Sequence, residues 1–458
     1  MKSYMNHSLV TALFALGVVS GAGAAAKDAA RFDFQPAPTL VADQPLAITL
    51  AGLPPKTELR VRAERVIHSA LLGNERRRFR SEAWYLSDAR GRIDMATALP
   101  RRGSYTGADL RGLFWSMKPT TAVLQAQDKT GTVRLQAFDG ETLLAEARLD
   151  ITPLASQVYS EPIPEFPGAV LIRPKIASGK LPVLILLGGA EGGTGAVRDH
   201  GPRLAALGYA VFGFPYYSPS AEPNGARELP ALPAEFAMIE VRQLNAVHDW
   251  LRRRADVDSS RIGLFGASKG AEFALLAASH LDWIKAVVAI APSDVVWEGY
   301  GWRTEPGASP AFALDGKPLA FVPYKGFVEE YMRFGSGQPV HLRRPHDQGR
   351  AAYPLAAVRA RIPVERFKGA LLLLAGQDDQ LWNSAAMAHN IAERRSEAGL
   401  ATELLVYSDA GHYLVGDGWS PTGHYNAGLK QSGGTQEGNA RAQIDARPKI
   451  VAFLRRVL

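Results

Sequence analysis

Three residues in the C-terminal half have the types and the order that nucleophilic catalysis by a serine needs. Ser268 is at the centre of GASKG (266–270), within GLFGASKGAEFALLAAS (263–279). A serine hydroxyl is a weak nucleophile unless a histidine accepts its proton, and that histidine needs a carboxylate partner. Asp379 in LLLLAGQDDQLW and His412 in LLVYSDAGHY follow in the order serine, acid, histidine. This set predicts acyl transfer through a covalent acyl-enzyme.

The residues around Ser268 predict how the chain presents its hydroxyl. The apolar run before it is typical of a buried strand, and KGAEFALLAAS (269–279) is typical of a helix. G-x-S-x-G between a strand and a helix is the nucleophile elbow of an α/β-hydrolase. The two glycines leave room for a sharp turn, and the following helix directs its N–H groups and dipole at developing negative charge.

The acid and the base each have alternatives. Asp379 is favoured over the adjacent Asp378 because it is the third residue after Gly376 and fits the usual G-x-x-D placement at the end of a strand. His412 follows a predicted strand and a glycine, 33 residues after Asp379, which is about one strand–helix–strand unit. Three other histidines are alternatives to His412. His424 comes 12 residues after it, whereas His389 falls in a predicted helix and His280 at the end of another.

Two backbone N–H groups are needed to stabilise the oxyanion. One is expected from Lys269, the first residue after the nucleophile. The other is expected from the glycine-rich loop GGAEGG (188–193), from Ala190 or Glu191, with Ala190 preferred. This loop lacks the GK[ST] ending of a P-loop, so a phosphate-binding turn is the less favoured interpretation.

Two regions with different patterns must position these residues. Residues 33–153 alternate apolar and polar side chains between turn sequences, which predicts a β-sandwich. From residue 182 onward, apolar runs alternate with helical patterns, which predicts a parallel sheet covered on both faces. The longest of these patterns predicts an amphipathic helix near 233–254. The segment 160–181 is the expected junction. The strands expected in the first region are at 46–53, 58–66, 79–88, 122–128, 133–140 and 143–151.

The N-terminus predicts export. Lys2, an apolar run at 9–19 and small residues up to residue 26 form the pattern of a cleaved secretory signal peptide. The expected organisation is therefore a signal peptide (1–26), an immunoglobulin-like β-sandwich (27–155) and an α/β-hydrolase domain (156–458). The mature protein is expected in the periplasm or outside the cell, without stable membrane insertion.

The amino-acid composition excludes several kinds of catalytic and metal-binding site. The chain has 458 residues, a formal charge of +7 and no cysteine, which excludes a thiol nucleophile, disulfides and thiolate metal sites. The 10 histidines show no tight ligand spacing, so neither a metal nor another cofactor is expected. The small positive surplus indicates no nucleic-acid partner and mildly favours anionic ligands. The oligomeric state is not predicted.

Several stretches resemble the family of acyl-CoA thioesterases and bile acid-CoA:amino acid N-acyltransferases. They include GSYTGADLRGLFWSMKP (103–119), RIGLFGASKGAE (261–272) and IPVERFKGALLLLAGQDDQLW (362–382). The resemblance implies an N-terminal β-sandwich, a C-terminal α/β-hydrolase domain and a triad at Ser268, Asp379 and His412. It also implies hydrolysis, because family members that transfer an acyl group to an amino acid carry cysteine where this chain carries Ser268.

The function expected from these observations is hydrolysis of a small-molecule acyl thioester, with acyl-CoA as the family's substrate. Export places the protein where CoA is scarce. The alternatives are a secreted carboxylesterase, peptidase or lactone hydrolase on the same scaffold, and a non-catalytic binding protein. The segment 294–361 is rich in aromatic residues and is a candidate for part of the acyl pocket, although packing is the commoner role for such residues.

Overall fold

The computed structural model describes residues 29–40, 45–69, 75–121, 124, 130–151, 157–220, 222–336, 338–423 and 431–458. The expected signal peptide (1–26), most of the expected strand at 122–128 and the alternative base His424 lie outside the described residues. The expected domain boundary at 155 also lies outside them, so the domain limits stay a prediction.

The described residues of the N-terminal region form two antiparallel sheets that share one core. One sheet has the order β1-β2-β5, and the other has the order β6-β4-β3-β8-β9 with β7 paired to β4. Apolar side chains of both sheets, such as Ile48 and Val61, are buried in the same cluster, which makes this part a β-sandwich. Its immunoglobulin-like character stays a prediction. The strands are Arg31–Gln35 (β1), Ala47–Ala51 (β2), Glu58–Ser69 (β3), Glu75–Leu86 (β4), Ile93–Asp94 (β5), Arg102–Gly103 (β6), Lys118–Pro119 (β7), Thr132–Asp139 (β8) and Thr142–Asp150 (β9).

The C-terminal region is built on a sheet whose described strands have the order β10-β11-β13-β12-β15-β16-β19-β20. The strands from β13 to β20 in this order are parallel, and β10 and β11 are antiparallel additions at one edge. This is the α/β-hydrolase fold. Three short strands, β14, β17 and β18, form a separate small sheet. The described strands of this region are Val158–Pro162 (β10), Val170–Pro174 (β11), Leu181–Leu187 (β12), Ala210–Gly213 (β13), Ile239–Glu240 (β14), Val257–Ala267 (β15), Ala286–Ile290 (β16), Phe312–Leu314 (β17), Lys317–Pro318 (β18), Ala370–Gly376 (β19) and Glu403–Tyr407 (β20).

Helices cover both faces of this sheet. The helix that follows β15 is apolar on nearly all sides, and its residues from Lys269 to Ser279 are all buried, as expected for a helix enclosed by the core. The described helices are Gly112–Trp115 (α1), Gly195–Ala205 (α2), Leu244–Arg252 (α3), Lys269–His280 (α4), Phe327–Gly335 (α5), Arg343–Ala352 (α6), Pro354–Arg359 (α7), Ser384–Glu397 (α8) and Gln436–Val457 (α9).

Two sequence predictions are wrong in this region. The expected junction at 160–181 contains β11 and parts of β10 and β12, because these short runs pair with the edge of the sheet. The long helix expected at 233–254 is limited to α3. Met238 has a positive φ of 55°, and the next two residues form β14, which pairs with β17 in a small separate sheet. Strand pairing with a distant segment outweighs the helical pattern there.

The segment that follows β20 joins the two regions. Trp419 packs in the core of the sandwich, with its ring 4.8 Å from that of Phe114 in a T-shaped arrangement. The side-chain amide of Gln436 donates to the carbonyl oxygens of Trp115 at 2.8 Å and Met117 at 3.1 Å. The sandwich therefore contacts the part of the chain that comes directly after His412. In the described part of the chain, none of the helices is both long and apolar enough to span a bilayer.

Arg395 secures the strands that carry the candidate acid and base. Its side chain is 1% exposed and donates to four backbone carbonyls around the starts of β19 and β20 and to the hydroxyl of Thr402. The carbonyls belong to Val364, Phe367, Gly369 and Ala401.

We expect Arg395→Met to lower the free energy of unfolding by about 3 kcal/mol or more, because it leaves these buried acceptors without donors. Arg456→Met is the control. Arg456 is exposed and paired with Glu403, and its loss should cost less than about 1 kcal/mol. Urea denaturation of both variants measures the difference, and equal stabilities would contradict this role.

Candidate active site

Ser268 occupies a strained turn between β15 and α4. Its backbone has φ 58° and ψ −125°, a region that non-glycine residues rarely adopt, and its N–H donates to the carbonyl of Ile290 at 2.8 Å. A Cβ added to Gly270 would lie 2.3 Å from the carbonyl oxygen of Leu187, and one added to Gly266 would lie 2.2 Å from that of Gly270. The two glycines of the motif therefore allow the close backbone approach that the turn requires.

Asp379 and His412 form a buried hydrogen-bonded pair. His412 Nδ1 lies 2.8 Å from Asp379 Oδ2, and both side chains are almost fully buried. The same oxygen accepts the hydroxyl of Ser384 at 2.6 Å, while Oδ1 accepts the N–H groups of Leu381 at 2.9 Å and Trp382 at 3.2 Å. Four donors thus fix the orientation of this carboxylate.

The adjacent acid is directed elsewhere. Asp378 is exposed and accepts the N–H of Gly434 at 2.9 Å, so the structure brings Asp379 to His412 and not its neighbour. Of the other histidines considered, His389 is exposed on α8, and His280 lies at the end of α4 away from Ser268.

The hydrogen bond between His412 Nδ1 and Asp379 leaves Nε2 as the ring nitrogen that can act as a general base. Because a carboxylate only accepts, the neutral ring carries its proton on Nδ1, and Nε2 has the lone pair. Nε2 is buried and has no hydrogen-bond partner among the described residues. Ser268 follows β15, Asp379 follows β19 and His412 follows β20. The carboxyl ends of these parallel strands lie at one edge of the sheet, where such folds bind ligands.

The glycine-rich loop 188–193 lies against the nucleophile. A Cβ added to Gly189 would lie 3.3 Å from the Cβ of Ser268. The Gly189 N–H donates to the carboxylate of Glu191 at 2.9 Å, so this N–H is already engaged. Lys269 is the first residue of α4, and the first N–H groups of a helix have no partner within it. The N–H groups of Lys269 and Ala190 therefore stay the predicted oxyanion donors.

Most of the chain matches models of known protein families. The family model described as "BAAT / Acyl-CoA thioester hydrolase C terminal" matches residues 239–458, and "Acyl-CoA thioester hydrolase/BAAT N-terminal region" matches residues 43–163. The chain belongs to the acyl-CoA thioester hydrolase/BAAT family. A model of the dienelactone hydrolase family also matches residues 168–299, which include the turn at Ser268.

Individual relatives match over most of their length. Rat acyl-coenzyme A thioesterase 1 is 28% identical over 94% of this chain and 97% of its own, and human mitochondrial acyl-coenzyme A thioesterase 2 is 26% identical over 94% and 85%. Among solved structures, an esterase from Pyrococcus furiosus covers 67% of this chain and 96% of its own, with a TM-score of 0.37 and 18% identity. Dipeptidyl peptidase 4 from Porphyromonas gingivalis covers 82% and 46%, with a TM-score of 0.40 and 15% identity.

In this member of the family, a buried ion pair lies directly beside the nucleophile. Lys269 Nζ lies 2.6 Å from a carboxylate oxygen of Glu272, and the other oxygen accepts the N–H of Trp297 at 3.1 Å. Burial pushes the pKa of Lys269 below its usual value and that of Glu272 above its usual value, while their mutual attraction opposes both shifts. The ammonium also faces the rings of Phe236 and Phe312 at 5.1 and 5.7 Å.

Sequence reasoning missed several of these neighbours. The i, i+3 spacing of Lys269 and Glu272 at a helix start was an available signal, whereas nothing in the sequence connects Ser384 to Asp379. His346 was also missed. Its ring packs edge-on against Trp382, 5.5 Å away, and burial lowers its pKa to about 3, which keeps it neutral. Within the described residues, no three His, Cys, Asp or Glu side chains are grouped closely enough to hold a metal ion.

We expect Asp379→Asn and Asp378→Asn to separate the two candidate acids. Asp379→Asn removes the carboxylate that orients His412, and should slow modification of Ser268 by a fluorophosphonate by at least about 10³-fold. Asp378→Asn should stay within about threefold of the unmodified protein, since its side chain is exposed. A slower reaction of the Asp378 variant than of the Asp379 variant would contradict the assignment. Intact-protein mass spectrometry follows the labelling.

We expect Lys269→Met alone to destabilise the fold by about 3 kcal/mol or more, because it leaves the buried carboxylate of Glu272 without its cation. The double variant Lys269→Met/Glu272→Leu should lose less, because it removes both buried charges at the cost of one hydrogen bond to Trp297. Urea denaturation of both variants tests this. A double variant that is less stable than Lys269→Met would show that the charges are not coupled in this way.

Proposed function

We propose that the protein hydrolyses acyl thioesters through a Ser268–His412–Asp379 triad and an acyl-enzyme. The observation that carries this proposal is the buried pair of His412 and Asp379, whose free nitrogen has no partner among the described residues, at the sheet edge where Ser268 occupies a strained turn. The names of the relatives, which are acyl-coenzyme A thioesterases, support a thioester as the substrate class.

In the proposed reaction, His412 Nε2 takes the proton of the Ser268 hydroxyl while the Ser268 oxygen attacks the acyl carbonyl carbon. The oxyanion accepts hydrogen bonds from the N–H groups of Lys269 and of Ala190 in the loop 188–193. The C–S bond then breaks, and His412 gives its proton to the departing sulfur. Asp379 keeps the imidazole oriented and stabilises its protonated form.

The second half of the reaction releases the acid. A water molecule loses a proton to His412 Nε2 and attacks the acyl-enzyme carbonyl, and the Ser268 oxygen leaves with that proton. The buried environment favours this cycle, since low polarity strengthens the electrostatic contacts of the site.

The location of the reaction is also part of the proposal. The N-terminal sequence supports export, so the natural thioester would be met in the periplasm or outside the cell.

The test is release of free thiol from short-, medium- and long-chain acyl-CoA by the purified mature protein, with a p-nitrophenyl ester beside them. We expect turnover of acyl-CoA, and a fall of at least about 10³-fold in Ser268→Ala, because the nucleophile is lost. Ser279→Ala is the matched control. Ser279 is also buried on α4, but its hydroxyl donates to the carbonyl of Leu275, and this variant should keep full activity.

Each other result would change the proposal. Cleavage of the simple ester alone would keep the nucleophile and reject the thioester as substrate, in favour of a carboxylesterase or peptidase. Undiminished hydrolysis by Ser268→Ala would reject the site. The absence of any turnover or labelling would favour a binding protein on this fold.

A further inference from the structure

An apolar segment with little cover lies where α6 ends and α7 begins. It is the stretch AAYPLAAV (351–358), and its first five residues are all exposed. The largest exposed side chains in it are Tyr353 at 43%, Leu355 at 69% and Val358 at 54%. Single apolar residues are common on protein surfaces, but an uninterrupted exposed run of this length is typical of a surface that contacts a partner.

Arginines flank this segment on both sides, and no acid lies within it. The sequence RAAYPLAAVRAR (350–361) has arginine at positions 350, 359 and 361 and contains neither aspartate nor glutamate. Arg350 is paired with Asp294. Arg359 and Arg361 are exposed, and neither forms an ion pair with another residue that the structure describes. The surface therefore combines apolar side chains with two cationic groups that have no acidic partner in this part of the chain.

The opposite side of α7 belongs to the core beside the candidate active site. Ala357 and Ala360 are buried in one cluster with Trp297 and Trp382. The ring of Trp382 lies 5.7 Å from that of His412 in a T-shaped arrangement. The exposed segment is therefore held by the same packed side chains that surround the candidate base.

The size and the charge of this surface select among its possible occupants. A stable protein interface covers about 800 Å² on each partner. Burying a whole aromatic side chain covers only about 150–250 Å², and the three large side chains here are already about half buried. In a symmetric dimer the patch would also meet its own copy, which brings like charges together. A bilayer surface with anionic headgroups accepts both the apolar and the cationic groups.

We propose that the segment 351–358, together with Arg359 and Arg361, is a peripheral membrane-binding surface that recognises anionic lipids. Leu355 and Val358 enter the boundary between the headgroups and the acyl chains, and the amphipathic ring of Tyr353 suits the same depth. The two guanidinium groups contact the headgroup phosphates. Because α7 has only six residues, this is contact with a surface and not a span. The inference does not depend on the proposed function.

The test is co-sedimentation of the purified mature protein with vesicles. One set contains phosphatidylethanolamine and phosphatidylglycerol, and the other contains phosphatidylcholine alone. We expect binding to the phosphatidylglycerol vesicles that weakens at high salt. Leu355→Ser should weaken it at least about tenfold, because a large apolar side chain no longer leaves water. Arg359→Gln/Arg361→Gln should weaken it by about tenfold or more, since each arginine loses its attraction to the anionic surface.

Leu143→Ser is the matched control. Leu143 is also an exposed leucine, but it lies on β9 of the sandwich, so this variant should bind vesicles like the unmodified protein. Urea denaturation should give similar stabilities for all of these variants, because the replaced side chains are exposed.

Three results would overturn the proposal. The first is the absence of binding to the phosphatidylglycerol vesicles, or equal binding to both kinds of vesicle. The second is an equal loss of binding in Leu355→Ser and Leu143→Ser. The third is a dimer that Leu355→Ser dissociates, seen by analytical ultracentrifugation, which would assign the surface to a second copy of the chain.

Discussion

The turn at Ser268 is the constraint on which the rest of the candidate site depends. Its backbone conformation costs of the order of 1–3 kcal/mol and persists only where the surroundings determine it. Here the surroundings are the central parallel strands and the enclosed helix α4, whose second residue, Gly270, lies against the carbonyl oxygens of Leu187 and Gly188. Relaxing the turn would therefore require α4 to separate from β12. The position of the hydroxyl is set by the core and not by the loop.

The acid and the base are held by a similar close approach. A Cβ added to Gly376 would lie 2.2 Å from the carbonyl oxygen of Gly411, so the ends of β19 and the loop after β20 are in backbone contact. Asp379 and His412 are three and one residues beyond these glycines, which brings their side chains together. The close approach at Gly270 thus fixes α4 against β12, and the one at Gly376 fixes the end of β19 against the loop after β20.

The candidate triad could be proposed from the sequence because each of its residues follows an apolar strand, and the carboxyl ends of parallel strands lie at one edge of a sheet. The sequence also allowed the preference for Asp379 over Asp378, which the contacts to His412 and Gly434 support. It did not predict Ser384 or His346, because long-range folding, not spacing, brings them to the site. The helix expected at 233–254 was wrong in its first half for the same reason, since β14 pairs with a strand more than seventy residues later.

Besides forming its own core, the sandwich holds the segment that follows the candidate base His412. Trp419, seven residues after His412, is enclosed by sandwich residues, and Gln436 binds the carbonyls around α1. The segment that carries the candidate base therefore leaves the hydrolase sheet and is fixed at its far end by the other region.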